Sequence, residues 1–172
     1  VRIVTSATVF AYMHNNYLLA SQKTNNEKVR QIIWKIRAKK VVLATGSIER
    51  PLTFHNNDRP GIMLSHSARK YANNGINLGK NIVIFTNNDY AYKAAIEFKL
   101  INNAAKIIVI DIRNNSEGDL IKEAKSLGIK ILFNHVVTNT KGRQKINSVF
   151  VHKIHNETNE ITDNYGKISC DL

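Results

Sequence analysis

The chain has a single cysteine, Cys170, and only two prolines among its 172 residues. One cysteine excludes an internal disulfide, a CxxC redox pair and a thiolate metal cluster, and so excludes disulfide-reductase chemistry. Also absent are a signal peptide and any apolar run of the roughly 18 residues that a membrane-spanning helix needs. We therefore predict a soluble protein with no membrane partner, and we expect it in the cytoplasm.

The histidines do not predict a metal site. His152 and His155 are the only close pair, and they stand three residues apart in a predicted strand. Side chains at that spacing point to opposite faces of a sheet, so the two rings cannot share one ion. No metal ligand is predicted in the chain.

Apolar sequence is plentiful: 43% of the residues are hydrophobic and 8% are aromatic. This composition excludes a disordered or collagen-like chain and predicts a globular domain. The length suits one ordinary domain, or one small domain with part of another. The sequence opens at Val1 without a methionine and stops at Leu172 straight after an apolar run, so both ends look cut.

The formal net charge of +12 would ordinarily indicate a nucleic acid or an anionic membrane as partner. Lysine is spread along the whole sequence and is abundant together with asparagine and isoleucine, as codon bias would produce. The densest basic stretch, residues 23–40, interleaves its cations with apolar residues, as a solvated strand face does. A nucleic-acid footprint concentrates charge on one face. A basic nucleic-acid-binding module is therefore kept only as the alternative from another functional class.

The first 79 residues are predicted to contain strands and then a crossover. Apolar and β-branched runs with polar turns between them predict a meander, and a fully apolar run predicts a buried strand over 40–44 that ends in Thr45-Gly46. Pro51 ends the regular structure, and a short helix is expected over 65–72. The predicted meander strands are residues 1–12, 17–22 and 31–38.

From residue 80 the pattern changes to alternating strands and helices. The first strand, helix and second strand form a βαβ unit, which is typical of a parallel sheet. A segment similar to a capping box, residues 116–119, is expected to open the next helix. The predicted strands are 81–85, 106–110, 130–137, 146–154 and 160–172, and the predicted helices are 89–102 and a second one that ends at Leu127-Gly128.

Residues 1–46 and 129–172 follow one plan: a strand, hairpin strands and a final strand. This plan is the back half of a dinucleotide-binding domain, and only the second copy is preceded by a βαβ front half. We therefore expect the first front half upstream of Val1 and regard the chain as the middle of a longer protein.

The predicted class is α/β, with a Rossmann-like three-layer dinucleotide-binding fold that carries a β-meander, plus the partial back half of a preceding similar domain. Residues 1–50 are assigned to the first domain and 51–79 to the crossover. Residues 80–172 are assigned to the second domain, truncated at its C-terminus.

The glycine turn that a dinucleotide needs is degenerate in the second domain. A pyrophosphate is held where glycines let backbone N–H groups and a helix N-terminus approach it. The chain has Thr86-Asn87-Asn88-Asp89-Tyr90-Ala91 at that place. Asn88 fills the close-approach position, and Asp89 puts a negative charge where phosphate would lie. Asp111 matches the ribose-binding acid but is interpreted as an ordinary strand-end carboxylate. We expect a nucleotide fold that no longer holds a nucleotide.

Ala44-Thr45-Gly46 follows a buried-type strand, and a glycine there would let the backbone pass close to a bound dinucleotide. Three residues alone are a weak signal. Together with the longer segments, residues 41–54, 57–63 and 81–92, they resemble the crossover region of two-dinucleotide flavoprotein oxidoreductases. Within these enzymes the chain is most similar to the alpha subunits of heterotetrameric sarcosine oxidases.

That resemblance implies part of an oxidoreductase acting on the CH–NH group of donors. Such complexes of several subunits convert sarcosine to glycine with NAD, FAD and FMN, pass the one-carbon unit to tetrahydrofolate and form hydrogen peroxide. NAD would lie in the N-terminal dinucleotide fold of the alpha subunit, and sarcosine would react at the flavin of another subunit. A related opine, proline or other secondary-amine dehydrogenase is the alternative.

The resemblance also implies which residues contact the cofactor. Ala44, Thr45 and Gly46 match the turn that lies along the dinucleotide, and Thr8 and Val9 match the strand end whose backbone meets the adenine. No catalytic residue is expected. The chain would be scaffold and part of the NAD-binding wall, would hold no cofactor tightly by itself and would be inactive alone.

The remaining candidates favour structural roles. Glu49 and Arg50 are expected to form an ion pair or to orient the crossover. Tyr90 and Tyr92 are interpreted as core or surface aromatics, and His66 has no nearby partner in sequence that would make it a general base.

Overall fold

The computed structural model describes residues 1–155, 158 and 160–172, with the backbone alone described at 163–165. Two compact units are present, unit 1 (Val1–Ser47) and unit 2 (Ile48–Leu172). The two units are described separately below.

Unit 1 is a three-stranded antiparallel meander in the order β1-β2-β3. A tight turn joins the first two strands, and there Asn15 and Asn16 take positive φ angles of 58° and 52°, which asparagine tolerates better than most residues. Leu18 pairs with Ile36 and Ala20 with Trp34, and the two β2 residues are buried. The meander predicted here is confirmed. Its strands are β1 (Ala7–Met13), β2 (Tyr17–Lys23) and β3 (Gln31–Arg37).

The buried strand predicted over 40–44 is wrong for this structure. Residues 38–54 contain no strand, and the side chains of Val42 and Leu43 are 88% and 69% exposed. A buried parallel strand needs neighbours that accept and donate its backbone hydrogen bonds. The described residues of unit 1 supply only the antiparallel meander, so the apolar run lies unpaired. The first strand likewise begins at Ala7 rather than Val1.

Unit 2 contains a parallel sheet in the order β4-β5-β6. Its strands and helices follow the predicted βαβ pattern closely. The capping box predicted over 116–119 is wrong. The last helix begins at Asp119 with Gly118 as its N-cap residue, and no side chain caps it by a hydrogen bond. Ser116 lies too far before the helix to act as the cap. The elements are α1 (Ser65–Asn73), β4 (Asn81–Thr86), α2 (Tyr90–Ile101), β5 (Lys106–Asp111), α3 (Asp119–Ser126) and β6 (Lys130–Phe133).

A second meander follows the parallel sheet, in the order β7-β8-β9. The sequence predicts one strand over 130–137, but Asn134 divides it into two. Asn134 has a φ of 59°, its N–H donates to the Arg113 carbonyl at 2.9 Å, and its side-chain amide donates to the Ile154 carbonyl at 2.7 Å. These hydrogen bonds stabilise the left-handed backbone conformation of Asn134, which interrupts the strand. The meander strands are β7 (His135–Gly142), β8 (Ile146–Ile154) and β9 (Ile161–Ser169).

The parallel sheet of unit 2 is covered on both faces. Ile82 and Ile84 of β4 belong to the core formed with the three helices. Val83 and Phe85, between them in sequence, pack against the core formed with the second meander. Successive strand residues point to opposite faces, so one strand serves both cores. This arrangement of helices, parallel sheet and meander confirms the Rossmann-like three-layer fold.

The last two residues return to the parallel sheet. Asp171 N–H donates to the Asn81 carbonyl at 2.7 Å, and the Leu172 carbonyl accepts from Val83 N–H at 2.9 Å. The Asp171 carboxylate accepts from the backbone N–H groups of Lys80 and Asn81, each at 2.8 Å. Hydrogen bonds from the backbone of Asn81 and then Lys80 lower the pKa of Asp171. The end of the chain is therefore attached beside β4.

Gly79 makes that attachment possible, and we expect Gly79→Ala to lower the free energy of unfolding by about 2 kcal/mol. Gly79 has a φ of 109°, and a Cβ there would lie 2.6 Å from the Cβ of Asp171. Urea unfolding followed by circular dichroism measures the change. Gly75→Ala is the matched control, because Gly75 also has a positive φ, 78°, but open space around its Cβ position. An equal loss for both variants would contradict the role of the close approach.

Candidate functional site

In the turn after β4, residues 86–91, side chains accept hydrogen bonds from backbone N–H groups of the same turn. The Thr86 hydroxyl accepts from Asn88 N–H at 3.1 Å and donates to the Asn88 carbonyl at 2.9 Å. The Asn88 side-chain oxygen then accepts from Tyr90 N–H at 2.9 Å. In a dinucleotide site, N–H groups of this turn would point at phosphate oxygens. Side chains take two of those donors here, Asn88 N–H and Tyr90 N–H.

Arg113 bridges the turn and the end of β5. One of its terminal nitrogens lies 2.8 Å from Oδ1 of Asp89 and 2.7 Å from Oδ2 of Asp111. Its Nε donates to Oδ1 of Asp111 at 2.9 Å, so the guanidinium and the Asp111 carboxylate form a two-pronged pair. One cation thus pairs with acids from two different elements.

Asp111 is completely buried and its carboxylate is fully engaged. The side chain is 0% exposed, and it also accepts from Tyr92 OH at 2.8 Å and from Arg113 N–H at 3.0 Å. Burial by itself raises the pKa of Asp111, but the hydrogen bonds from Arg113 and Tyr92 outweigh it and leave the pKa lowered. Asp111 is therefore an ionised, internally paired carboxylate.

Tyr92 is a buried donor to this network rather than a catalytic phenol. Its side chain is 0% exposed, and burial, then the hydrogen bond to Asp111, raise its pKa well above the ordinary value. A phenol held protonated in this way supplies one hydrogen bond and no base. The interpretation of Tyr92 as a core aromatic is confirmed.

These residues do not fit a dinucleotide. The Asn88 and Tyr90 N–H groups of the turn have side-chain partners, Asp89 places a negative charge in front of the helix, and the Asp111 oxygens that would receive ribose hydroxyls are taken. A pyrophosphate would meet Coulomb repulsion from Asp89 and would have to displace Arg113. Sequence reasoning found the turn and Asp111 but missed Arg113. A cation two residues after the acid was the available signal.

The predicted NAD-contact residues lie in unit 1. Thr8 and Val9 are on β1, where they pair with Ser21 and Ala20, and Val9 is 55% exposed. Ala44, Thr45 and Gly46 are exposed and lie in the irregular segment after β3. No strand pairing joins the two groups among the described residues of unit 1. Their cofactor contact stays a prediction.

Gly46 has a left-handed backbone conformation that favours glycine. Its φ is 72°, and no atom of the chain lies within 4 Å of the position that a Cβ would take. The left-handed conformation disfavours any other residue, while the space beside it stays open.

Glu49 caps the N-terminus of α1 from sixteen residues upstream. Its Oε1 accepts from Ser65 N–H at 3.0 Å and from the Ser65 hydroxyl at 2.7 Å, and its Oε2 accepts from His66 N–H at 2.8 Å. A carboxylate at this place satisfies free helix donors and interacts favourably with the helix dipole. Glu49 thus orients the crossover, which is one of the two structural roles expected of it.

The crossover is also fastened to β7. The Asn56 amide donates to the Asn139 side chain at 3.0 Å, the Thr140 hydroxyl donates to the Asn56 carbonyl at 3.0 Å, and Arg59 Nε donates to Thr140 at 3.3 Å. These contacts join residues more than 80 positions apart. The segment that carries the family resemblance therefore has an architectural role in unit 2.

The described residues give little support to a membrane span, a metal site or a reactive thiol. In the part of the chain that the structure describes, no helix is long and apolar enough to cross a membrane. Those residues also contain no group of three or more His, Cys, Asp or Glu side chains placed to hold a metal ion. Burial raises the pKa of the Cys170 thiol to about 11, so the thiol stays protonated and unreactive at neutral pH.

No protein-family model matches the chain. Curated proteins do match. Sarcosine oxidase subunit alpha of Corynebacterium sp. (strain U-96) is 41% identical over 143 residues, which cover 78% of this chain. The subunit of the same name from Rhizobium meliloti (strain 1021) is 32% identical over 160 residues, or 88% of this chain. The chain is related in sequence to sarcosine oxidase alpha subunits.

The relationship covers a small part of those proteins. The chain spans 14% of the Corynebacterium sarcosine oxidase alpha subunit and 16% of the Rhizobium one. The resemblance to sarcosine oxidase alpha subunits that the sequence indicated is confirmed, and the match is to a limited segment of them.

Solved structures support the fold. The chain resembles a thioredoxin reductase from T. acidophilum with a TM-score of 0.59 at 17% identity, covering 96% of this chain and 50% of that one. A water-forming NADH oxidase from Lactobacillus brevis, bound to NADH, gives a TM-score of 0.55 at 12% identity, covering 96% and 35%. At such identities the likeness concerns the fold alone. It confirms the α/β class and the Rossmann-like fold.

Proposed function

We propose that the chain is a scaffold and NAD-contact segment of an oxidoreductase subunit of the sarcosine oxidase alpha type. The observation that carries the proposal is the 41% identity to one such subunit over 143 residues. The whole assembly would demethylate sarcosine oxidatively to glycine, transfer the one-carbon unit to tetrahydrofolate and produce hydrogen peroxide. FAD and FMN would reside elsewhere in this hetero-oligomer, which we place in the cytoplasm.

The NAD-binding wall in this proposal is formed by Thr8 and Val9 on β1 and by Ala44, Thr45 and Gly46. The open space and positive φ at Gly46 support it, because a backbone without a Cβ can approach a flat or charged ligand closely. The exposure of all three residues of the Ala44–Gly46 turn is consistent with such a contact.

The domain organisation supports the same view. In unit 2 the last residues, Asp171 and Leu172, return to β4 after the meander. Residues 40–46 occupy the corresponding place after the first meander. We propose that in the longer protein they pair with a parallel sheet of a first nucleotide fold, which would bury Val42 and Leu43. Residues 1–50, 51–79 and 80–172 would then be the end of that fold, the crossover and most of a second fold.

Peroxide formation tests this proposal. The whole alpha-type protein, produced together with its partner subunits, is expected to form peroxide when given sarcosine, whereas the 172-residue chain alone is expected to form none. Proline and an opine serve as comparison substrates. Faster oxidation of either one would favour the related amine dehydrogenase, and sarcosine-dependent peroxide from the isolated chain would overturn the scaffold role.

A further inference from the structure

The second nucleotide fold has the strands and helices of a dinucleotide-binding domain, but its dinucleotide site is not open to a ligand. The parallel strands β4, β5 and β6, the helices between them and two cores are all present. A ligand-binding fold that had merely lost its glycines would leave open N–H groups and an available carboxylate. In this structure two of the turn N–H groups, those of Asn88 and Tyr90, have side-chain partners, and so does the Asp111 carboxylate. Loss of the glycines alone therefore does not describe the site.

We propose that Arg113 takes the place of the dinucleotide, so that this domain is closed by its own side chains and works as a ligand-free structural domain. In a binding domain, the ligand is what connects the turn after the first strand with the acid after the second strand. Arg113 makes that connection here, at 2.8 Å to Asp89 and 2.7 Å to Asp111.

Hydrogen bonds from the backbone and from the side chain of Arg113 hold its guanidinium beside Asp111. Its N–H donates to Oδ1 of Asp111 at 3.0 Å, and its Nε donates to the same oxygen at 2.9 Å. The next strand is coupled to the same loop, because Asn134 N–H donates to the Arg113 carbonyl at 2.9 Å. The guanidinium is therefore preorganised over Asp111 by short-range and tertiary contacts.

The charges of the closed site also disfavour phosphate. Asp89 and Asp111 contribute two negative charges and Arg113 one positive charge, so these three side chains together carry a net negative charge. An entering pyrophosphate would add further negative charge and would compete with both carboxylates for this guanidinium. Thr86 and Asn88 already accept from two turn donors, Asn88 N–H and Tyr90 N–H, that would offset this cost.

The closure is tested by titrating the ¹⁵N-labelled 172-residue chain with NAD⁺, NADP⁺ and AMP and following its amide signals. We expect no saturable shift at residues 86–91 or 111–113 up to millimolar ligand. Saturable NAD⁺ shifts confined to Thr8, Val9 and residues 44–46 would support both the closure and the proposed NAD wall. Saturable shifts at residues 86–91 would overturn the closure and leave the proposed wall untouched.

Two variants test whether the named side chains cause the exclusion. The first, Thr86→Gly/Asn88→Gly/Asp89→Ser, frees the turn donors but keeps the Arg113–Asp111 pair. The second adds Arg113→Leu. Amide dispersion shows whether each is folded. We expect NAD⁺ to bind at the turn at least tenfold more tightly in the folded second variant than in the parent chain or in the first variant, because only the second variant removes Arg113. Equally tight binding by the first variant would show that Arg113 does not close the site. If both are folded and neither binds, Arg113 and the turn side chains are not what excludes the nucleotide.

Discussion

Arg113→Leu is expected to lower the free energy of unfolding by about 3 kcal/mol, because it leaves the fully buried Asp111 carboxylate without its cation. The value lies at the lower end for a broken buried pair, since the Arg113 side chain is itself 28% exposed and water can reach it. Urea unfolding at pH 7, followed by circular dichroism, measures the loss.

Arg143→Leu is the matched control for this prediction. Arg143 lies on the exposed hairpin between β7 and β8, so its removal is expected to change stability by no more than about 0.5 kcal/mol. Arg113→Leu and Arg143→Leu remove the same side chain and the same charge. Equal effects of the two substitutions would show that the buried pair does not stabilise unit 2.

The difference in the free energy of unfolding between the parent chain and Arg113→Leu is expected to depend on pH. The pKa of Asp111 is lowered in the folded chain, so its pairing stabilises the fold above the ordinary value of 3.8 and is lost as pH falls through the folded pKa. In the variant, burial without the cation raises the pKa of Asp111, and the carboxyl is protonated earlier. The stability difference should therefore narrow as pH falls from the raised pKa of Asp111 in the variant, above 3.8, to the lowered pKa of Asp111 in the parent chain. A difference that stays constant down to pH 2 would contradict this explanation.

Gly46→Val in the whole alpha-type subunit is expected to weaken NAD binding at least tenfold, which corresponds to about 1.4 kcal/mol. The left-handed φ of 72° strains a β-branched residue, and the new side chain would enter the open space where we place the dinucleotide. Calorimetric titration of the intact subunit with NAD⁺ measures the change.

Gly118→Ala serves as the control for Gly46→Val. Gly118 has a φ of 174°, which is extended backbone open to any residue, and its Cβ position has no neighbour within 4 Å. We expect NAD affinity to stay within twofold of the parent. Unchanged binding in Gly46→Val would remove Gly46 from the NAD wall.

The sequence predicted unit 2 well because its strands and helices carry strong local patterns. β4 and β5 are continuous apolar runs, and α2 between them has buried residues at helical spacing. Such runs can be buried only in a sheet covered on both faces, which already indicates three layers. The helix between them supplies the long crossover that two parallel strands need, which favours parallel pairing.

The strand predicted over 40–44 shows the limit of the same reasoning. Its apolar residues match those of β4, yet Val42 is 88% exposed because unit 1 offers no partner strand. An apolar run gives the tendency to pair, but pairing also needs a neighbour at the correct edge. Asn134 was missed for a related reason: its left-handed conformation depends on hydrogen bonds to distant Arg113 and Ile154.

The candidate site could be predicted only in part. The absence of glycines at residues 86–91 and the acid at 111 are visible in the sequence. The bridge by Arg113 is not, because it joins Asp89 and Asp111 from two elements whose proximity follows only from the folded sheet. The capping role of Glu49 at Ser65 depends in the same way on a contact made by the fold.

NAD is proposed to contact the fold to which unit 1 belongs, while the second fold is closed. Hydrogen–deuterium exchange of the intact alpha-type subunit, with and without NAD⁺, tests both parts in one measurement. We expect NAD-dependent protection in peptides that contain Thr8, Val9 and residues 44–46, and no change in peptides that cover 86–91 and 111–113. Protection at 86–91 without protection at 44–46 would contradict the proposal.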